Sequence, residues 1–401
     1  MSFKADRRNF IKKSGLIAGG ILAVPGVLSS AFSPKREVVK LGVIGTGDRG
    51  GGILNLVKSI PGFKVTAVAD PIDFRLKDRG LARAPEAKGY RNHEELLDKA
   101  DVEAVVIATP FSTHDEVALA AMDAGKHVYC EKTMVKGMSE IQAVIDKAKS
   151  SGVVFQTGHQ YHSSPLYQRA LEIIRNGYIG DVTAYHCQWN RNGDWRRAVP
   201  RPELERQINW RMYREFSGGL IAELCSHQID FINWVTQSHP AKFSGFGGID
   251  YWKDGRETFD NIHLLCEYPD GLDASFTCTT TNGYEDYKIK VLGKKATLIL
   301  DYTKGMIYAE DTQKEKGLVD GVSGATLDAW KQGLGIPIDA PGNDPTQNAL
   351  EQFYESIAHD APVISDIKTG ATTAKCVHIG LDALHQGGVK YWTDYPELHF
   401  G

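Results

Sequence analysis

From Val38 onward the chain alternates short apolar runs with stretches of helical spacing. VVKLGVIG (38–45) is a β-branched run that ends in glycine, and GGILNLVKSI (51–60) follows with apolar residues three and four apart. FKVTAVAD (63–70), VEAVVIATP (102–110), HVYCEK (127–132) and VVFQTGH (153–159) are further strands, separated by helical stretches such as HDEVALAAMDAG and MSEIQAVIDKAKSSG. No hairpin signals interrupt this alternation, so the pattern predicts a parallel, doubly wound sheet. Beyond it the texture changes. DVTAYHCQWN, AKFSGFGGIDYW, NIHLLCEYPDG, LDASFTCTTTNG, YKIKVLG and ATLILDY are strands joined by short turns, with Tyr268-Pro269-Asp270-Gly271 a hairpin turn. The second half therefore reads as α+β, an open and mainly antiparallel sheet with helices at SGGLIAELCSHQIDFINWV and in the tail after Asn348. Residues 311–345, rich in Gly, Asp and Lys, read as a long surface loop.

The start of the chain has another character. Arg7-Arg8-Asn9-Phe10-Ile11-Lys12 resembles a twin-arginine export signal, and LIAGGILAVPGVL (16–28) is a short, Gly-rich apolar run broken by Pro25. It is too short for a membrane span and suits a signal sequence, with Ser29 and Ala31 fitting a cleavage site. The expected organisation is a leader over 1–31, a nucleotide-binding domain over 38–160 and a substrate-binding and oligomerisation domain over 161–390, with export to the periplasm.

Composition narrows the classes. With 401 residues, a net charge of -4 and no basic stripe, the chain gives no reason to expect a nucleic-acid partner. Its six cysteines show no C-x-x-C spacing, which argues against a zinc ribbon or disulfide framework and for buried thiols.

Gly45-Thr46-Gly47-Asp48-Arg49-Gly50 stands directly between a strand and a helix. Glycines there allow a tight turn and let main-chain N–H groups approach a pyrophosphate at the helix N-terminus. Asp70 ends the second strand about twenty residues later, where a carboxylate accepts hydrogen bonds from ribose hydroxyls. That acid favours NAD over NADP, with Arg75 close by as a counterweight.

With ATPFSTHDEVALAAMDAGKHVYCEK the chain resembles the Gfo/Idh/MocA oxidoreductases. The matching pieces are the glycine turn, Thr109-Pro110 with His114, and Gly125-Lys126-His127-Val128 leading into Glu131-Lys132. Gly158 through Pro165, then Gly218-Gly219-Leu220 followed by His227, continue the resemblance to the closing helices. The resemblance implies a Rossmann domain holding NAD tightly. It also implies cofactor contacts from Thr109, Pro110, His114, Glu131 and Gln160, and a homo-oligomer, dimer or tetramer, built on the second sheet. Lys132 would stand beside the nicotinamide, where a cation stabilises developing alkoxide. His227 would be the proton acceptor, with an acid four residues before it, here Glu223 in place of the commoner aspartate. A helix would set Glu223 and His227 on one face with Asp230 one turn on; as a metal set the three lack a further ligand, so no metal is expected.

WNRNGDWRR (189–197) and INWRMYREF (208–216) crowd Trp and Arg together. Such residues suit a polyol, as an aromatic floor and forked donors, and equally a subunit interface. Arg191, Trp195 and Trp210, with Tyr161, are the substrate candidates. The expected activity is oxidation of a hydroxyl, with C3 one candidate, on a sugar or glycoside. A redox-neutral NAD-dependent glycoside hydrolase is the alternative, and an exported, non-catalytic sugar-binding protein the third.

Overall fold

The computed structural model describes residues 37–310 and 335–400; the leader and residues 311–334 lie outside them. Strands β1 (Val39–Ile44), β2 (Phe63–Ala69), β3 (Lys88–Tyr90), β4 (Ala104–Ile107), β5 (His127–Cys130) and β6 (Phe155–Thr157) form one sheet. The order is β3-β2-β1-β4-β5-β6, and every neighbouring pair is parallel. Helices α1 (Asp48–Val57), α2 (His93–Lys99), α3 (His114–Asp123) and α4 (Met138–Ser151) make the crossovers. Strands β1, β4, β5 and β6 are buried on both faces, which is why they read as apolar runs without alternation; all four residues of β4 are buried. β1 lies between β2 and β4, so the strand order reverses there and leaves a crevice at the carboxyl ends.

The second sheet has nine strands: β7 (Val182–Asn190), β8 (Lys242–Gly248), β9 (Asn261–Glu267), β10 (Asp273–Thr279), β11 (Tyr287–Gly293), β12 (Ala296–Leu300), β13 (Gly305–Ala309), β14 (Ile336–Pro337) and β15 (Lys390–Tyr391). Their order is β14-β13-β12-β11-β7-β10-β9-β8-β15, antiparallel throughout except for the parallel pair β7–β10. Here alternation is clear. Tyr287, Ile289 and Val291 of β11 are buried while Lys288 and Lys290 are not. Helices α5 (Pro165–Arg175), α6 (Ser226–Thr236) and α8 (Ile367–Gln386) contribute to the core on the buried face. The opposite face is open, with Phe246 and Leu265 exposed. The turn at Tyr268–Gly271 is the expected hairpin: Gly271 takes φ +75° and its N–H donates to the Tyr268 carbonyl.

The chain then returns to the first sheet. Phe353 of α7 (Pro345–Ala358) packs on Phe63 and Tyr129, and α8 gives Ala371 and Ala374 to the first core and Val377 and Ile379 to the second. One helix thus anchors both sheets and fixes the crevice between them.

Two expectations need correction. Strands β3, β13, β14 and β15 are additional to those read from the pattern; β3 is only Lys-Gly-Tyr, and the last two have two residues each, too short for periodicity to register. The expected loop over 311–345 ends early, because Ile336–Pro337 pairs with β13 and α7 starts at Pro345, capped by the Asp344 carboxylate accepting from Thr346 N–H at 2.7 Å. All six cysteines are buried and free. No helix among the described residues is long and apolar enough to cross a membrane.

Candidate active site

A cleft of about 880 Å³ runs over the carboxyl ends of β1, β4 and β5. All the candidate cofactor, catalytic and substrate residues line it except Gly50 and Tyr161. Its first end is the turn after β1. Gly45 has φ +89°, and a Cβ there would stand 2.6 Å from the Ala108 carbonyl oxygen. A Cβ at Gly50 would lie 1.8 Å from the Gly45 oxygen, so Gly50 serves the packing of α1 against the turn rather than the cleft wall. Gly47 is different. It precedes α1, and the nearest atoms to a Cβ there are on the Arg75 guanidinium, 3.9 Å away. Two glycines thus close the turn, and the third leaves room beside the helix N-terminus.

Asp70 is buried at the end of β2. It accepts from the N–H groups of Thr46 (2.8 Å) and Ile72 (2.9 Å). Burial raises its carboxyl pKa against those two hydrogen bonds. The Arg75 Nε is buried without a partner. Asp48 pairs with Arg79 and, from the second half of the chain, with Arg197 Nε at 3.0 Å.

The middle of the cleft is built from β4 and β5. His114 is a staple: its ring nitrogens stand 3.0 Å from the Thr133 carbonyl and 3.1 Å from that of Thr109. The Thr109 hydroxyl has no partner. Glu131 pairs with Arg49 Nε at 2.7 Å, tying the end of β5 to α1. Next to it the Lys132–Thr133 peptide is cis, and the Thr133 hydroxyl donates to the Ala222 carbonyl at 3.1 Å. The Lys132 ammonium donates to the carbonyls of Glu223 (2.6 Å) and Ala222 (3.4 Å). Burial lowers its pKa, with Glu223 and Glu131 opposing.

Those carbonyls come from a departure from regular helix. Ile221–Cys225 is a π-helical turn leading into α6. The helix is therefore not regular through Glu223; Glu223 and His227 still both line the cleft, while the three polar residues have different partners. The Glu223 carboxylate accepts from Arg211 Nε at 2.7 Å. Asp230 lies in the interior, accepting from His162 Nε2 at 2.9 Å and from the Thr373 hydroxyl at 3.3 Å. His227 lines the cleft, its Nδ1 buried without a partner and its ring packed 4.9 Å from Tyr161 and 5.8 Å from Trp189. Burial, then the charges of Lys132 and Arg49 and the neighbouring His159 ring, hold the imidazole well below its usual pKa, so it is neutral near pH 7. The described residues with donors close enough together to hold a metal are His93, Glu94 and Glu116, not Glu223, His227 and Asp230.

Gln160 and Tyr161 part company within one 3₁₀ turn (Gln160–Ser163). Gln160 lines the cleft with an unpartnered Oε1. Tyr161 faces inward, stacked 4.3 Å on Tyr167 behind His227. At the far end Arg191 lies 5.5 Å over Trp189, Trp195 takes φ +65°, and Arg211 lies 4.2 Å over Trp210. Sequence reasoning passed over Arg211. The signal was its place in INWRMYREF, beside the Trp210 that was singled out.

Residues 39–159 match the description "Oxidoreductase family, NAD-binding Rossmann fold", and residues 167–299 match "GFO/IDH/MocA C-terminal domain". An uncharacterized oxidoreductase of Streptococcus pneumoniae is 30% identical over 269 residues, 66% of this chain and 69% of that protein. A levoglucosan dehydrogenase of Pseudarthrobacter phenanthrenivorans is 23% identical over 90% of this chain and 99% of its own length. Among solved structures, an oxidoreductase domain protein from Kribbella flavida superposes with a TM-score of 0.73 at 18% identity, covering 90% of this chain and 100% of that one.

Proposed function

Since the chain belongs to the GFO/IDH/MocA oxidoreductase family, we propose that it oxidises a hydroxyl of a sugar or glycoside using a retained NAD, with Lys132 and His227 handling the hydroxyl proton. The observation that carries this reading is one cleft joining the glycine turn to the Lys132 ammonium and the neutral His227 imidazole. A levoglucosan dehydrogenase among the relatives supports a sugar-like substrate.

The residues present fit a dinucleotide. Gly47 leaves the start of α1 without a side chain, with only the Arg75 guanidinium within 4 Å of its Cβ position, and unpartnered polar atoms of Thr109 and Gln160 sit in the cleft wall. Asp70 supports NAD over NADP, because its carboxylate repels a 2′-phosphate. Bound there, the nicotinamide would supply a hydride acceptor. The chain's own groups do the rest. Two carbonyls hold Lys132 Nζ by two of its donors and leave a third for the substrate oxygen, where positive charge stabilises developing alkoxide. His227 is the base: it takes the hydroxyl proton on its cleft-side nitrogen, and its depressed pKa keeps that nitrogen free at neutral pH. Trp189, Trp195 and Trp210 offer apolar faces to a sugar ring. Exposed Phe246 and Leu265 on the open sheet face support pairing of two copies.

The Arg7-Arg8 leader supports export of the folded, cofactor-loaded protein to the periplasm. A retained cofactor would then be recycled by a second, reducible sugar. The test uses purified protein with no NAD added. Denaturation releases the bound nucleotide for quantification, and native protein is mixed with free sugars and p-nitrophenyl glycosides while 340 nm and 400 nm are followed. Stoichiometric NAD and one burst at 340 nm, relieved only by a keto-sugar, is the expected result. Nitrophenol released over many turnovers without such an acceptor would establish redox-neutral hydrolysis instead. No bound dinucleotide and no absorbance change with any sugar would overturn both.

A further inference from the structure

Arg211 is held in the cleft from several sides. It sits in a single 3₁₀ turn (Trp210–Met212), and its carbonyl accepts from the Thr258 hydroxyl at 2.9 Å. Its guanidinium lies 4.2 Å over the Trp210 ring, and its Nε donates to Glu223 Oε2 at 2.7 Å. The two terminal nitrogens have no protein partner among the described residues and are not sealed in the interior. Arg211 lines the same cleft as Lys132 and His227, and its two terminal nitrogens form a planar fork.

Glu223 is correspondingly occupied. One carboxylate oxygen holds Arg211, while its backbone carbonyl holds Lys132. Burial alone would raise its pKa, but Arg211 and Lys132 outweigh that and keep it ionised. An ionised, paired carboxylate is a poor acceptor for a proton at neutral pH. It is well suited to stop a stacked arginine from turning away.

We infer that Arg211 is a substrate-reading residue that grips two adjacent oxygens of the sugar through its free fork, and that Glu223 is its positioning residue rather than a partner of His227 in proton transfer. This rests on the dehydrogenase reading above. Two adjacent oxygens occur in a vicinal diol and in the carboxylate of a sugar acid. Lys132, Arg191 and Arg211 outnumber Glu223, and Glu131 is paired with Arg49, so this end is left positive, which accommodates either.

The test compares holoenzyme carrying Arg211→Lys, Glu223→Gln, Glu223→Asp or the Lys/Gln double change, with methyl β-D-glucopyranoside, its 2-deoxy analogue, levoglucosan and D-glucuronate as probes. Arg211→Lys keeps the charge and loses the fork, so KM should rise about tenfold or more while kcat stays within about threefold. Glu223→Gln should produce the same KM rise, the double variant should be no worse than either single one, and Glu223→Asp should recover part of the loss. If the diol is read, the penalty shrinks with the deoxy sugar; if a carboxylate is read, it is confined to glucuronate. The inference is overturned by wild-type KM in Arg211→Lys toward every probe. It is equally overturned if Glu223→Gln lowers kcat about a hundredfold at unchanged KM, which would return Glu223 to the chemistry. Wild-type enzyme that reduces its cofactor with none of the probes and gains no thermal stability from any of them would instead remove the dehydrogenase reading, and this inference with it.

Discussion

The two ends of the cleft are made in different ways. The glycine turn and Asp70 lie within 26 residues of one β-α-β unit, and main-chain geometry does most of the work there. The catalytic end gathers Lys132 from just beyond β5, Gln160 and Arg211 from two separate 3₁₀ turns and His227 from α6. There Lys132 is held by carbonyls and Arg211 by Glu223. A site of the first kind depends on what cannot be added. One of the second kind depends on what cannot be taken away.

The largest expected effect tests the first half of that contrast. Gly50→Val puts a side chain where even a Cβ would be 1.8 Å from the Gly45 oxygen, and the clashing atom is backbone that cannot turn aside. The turn must open or α1 must shift. Bound NAD should fall below detection and the melting temperature should drop by at least about 5 °C, as for any severe overpacking. Gly47→Ala, whose Cβ would meet only the Arg75 guanidinium at an ordinary 3.9 Å, should melt as wild type while still weakening cofactor retention. Equal melting points for wild type and Gly50→Val would show that the turn is not steric in origin.

The catalytic end responds to removal. His227→Ala should lower kcat by about 10²- to 10⁴-fold and leave the NAD content unchanged, because the ring touches the substrate side and supports no part of the glycine turn. Turnover near wild type would assign proton acceptance elsewhere. The same ring sets a pH signature. Burial depresses the folded-state pKa of both His227 and His159, so below about pH 6.5 the unfolded chain binds protons that the native state refuses. Stability contributed by these rings is complete above pH 6.5 and declines as pH falls from there toward their folded values. Thermal melts from pH 7.5 to 5 should show this fall, and it should be shallower in His227→Gln. An identical slope in the two proteins would mean that the ring is not the refusing group.

The same contrast explains what the sequence disclosed. β1, the glycines, α1 and Asp70 were legible because their spacing is their geometry. The alternation in β7 and β11 was legible because one face of that sheet is covered and the other is not. What escaped was non-local. The parallel pairing of β7 with β10, inside an otherwise antiparallel sheet, depends on strands more than eighty residues apart. Glu223 and His227 match a helical spacing and both line the cleft, but the π turn that holds Glu223 and the pairing of its carboxylate with Arg211, from a turn twelve residues earlier, are not written in that spacing. Tyr161 looked like a neighbour of Gln160 in function, but a 3₁₀ turn sends adjacent side chains to different sides, and Tyr161 went to the core with Tyr167 and Tyr287.

The smallest effect lies where the two kinds of construction meet. Asp48, at the start of α1, is tied to Arg79 from its own domain and to Arg197 from the strap between β7 and α6. The Arg197 main chain is itself fixed by Asn209, whose side chain accepts from its N–H at 2.7 Å and donates to its carbonyl at 3.1 Å. The pair therefore lays a rigid segment of the second half across the mouth of the glycine turn. Both partners are about half exposed, and exposed pairs are worth about 0.2–1 kcal/mol, so the link works as a latch more than as a source of stability. Arg197→Ala should leave the melting temperature within about 1 °C and speed release of bound NAD about two- to fivefold. Raising the ionic strength should speed release from wild type and narrow that gap, because salt screens the pair. If release were instead as slow in Arg197→Ala as in wild type at low salt, cofactor retention would belong to the glycine turn alone, and the two ends of the cleft would be independent.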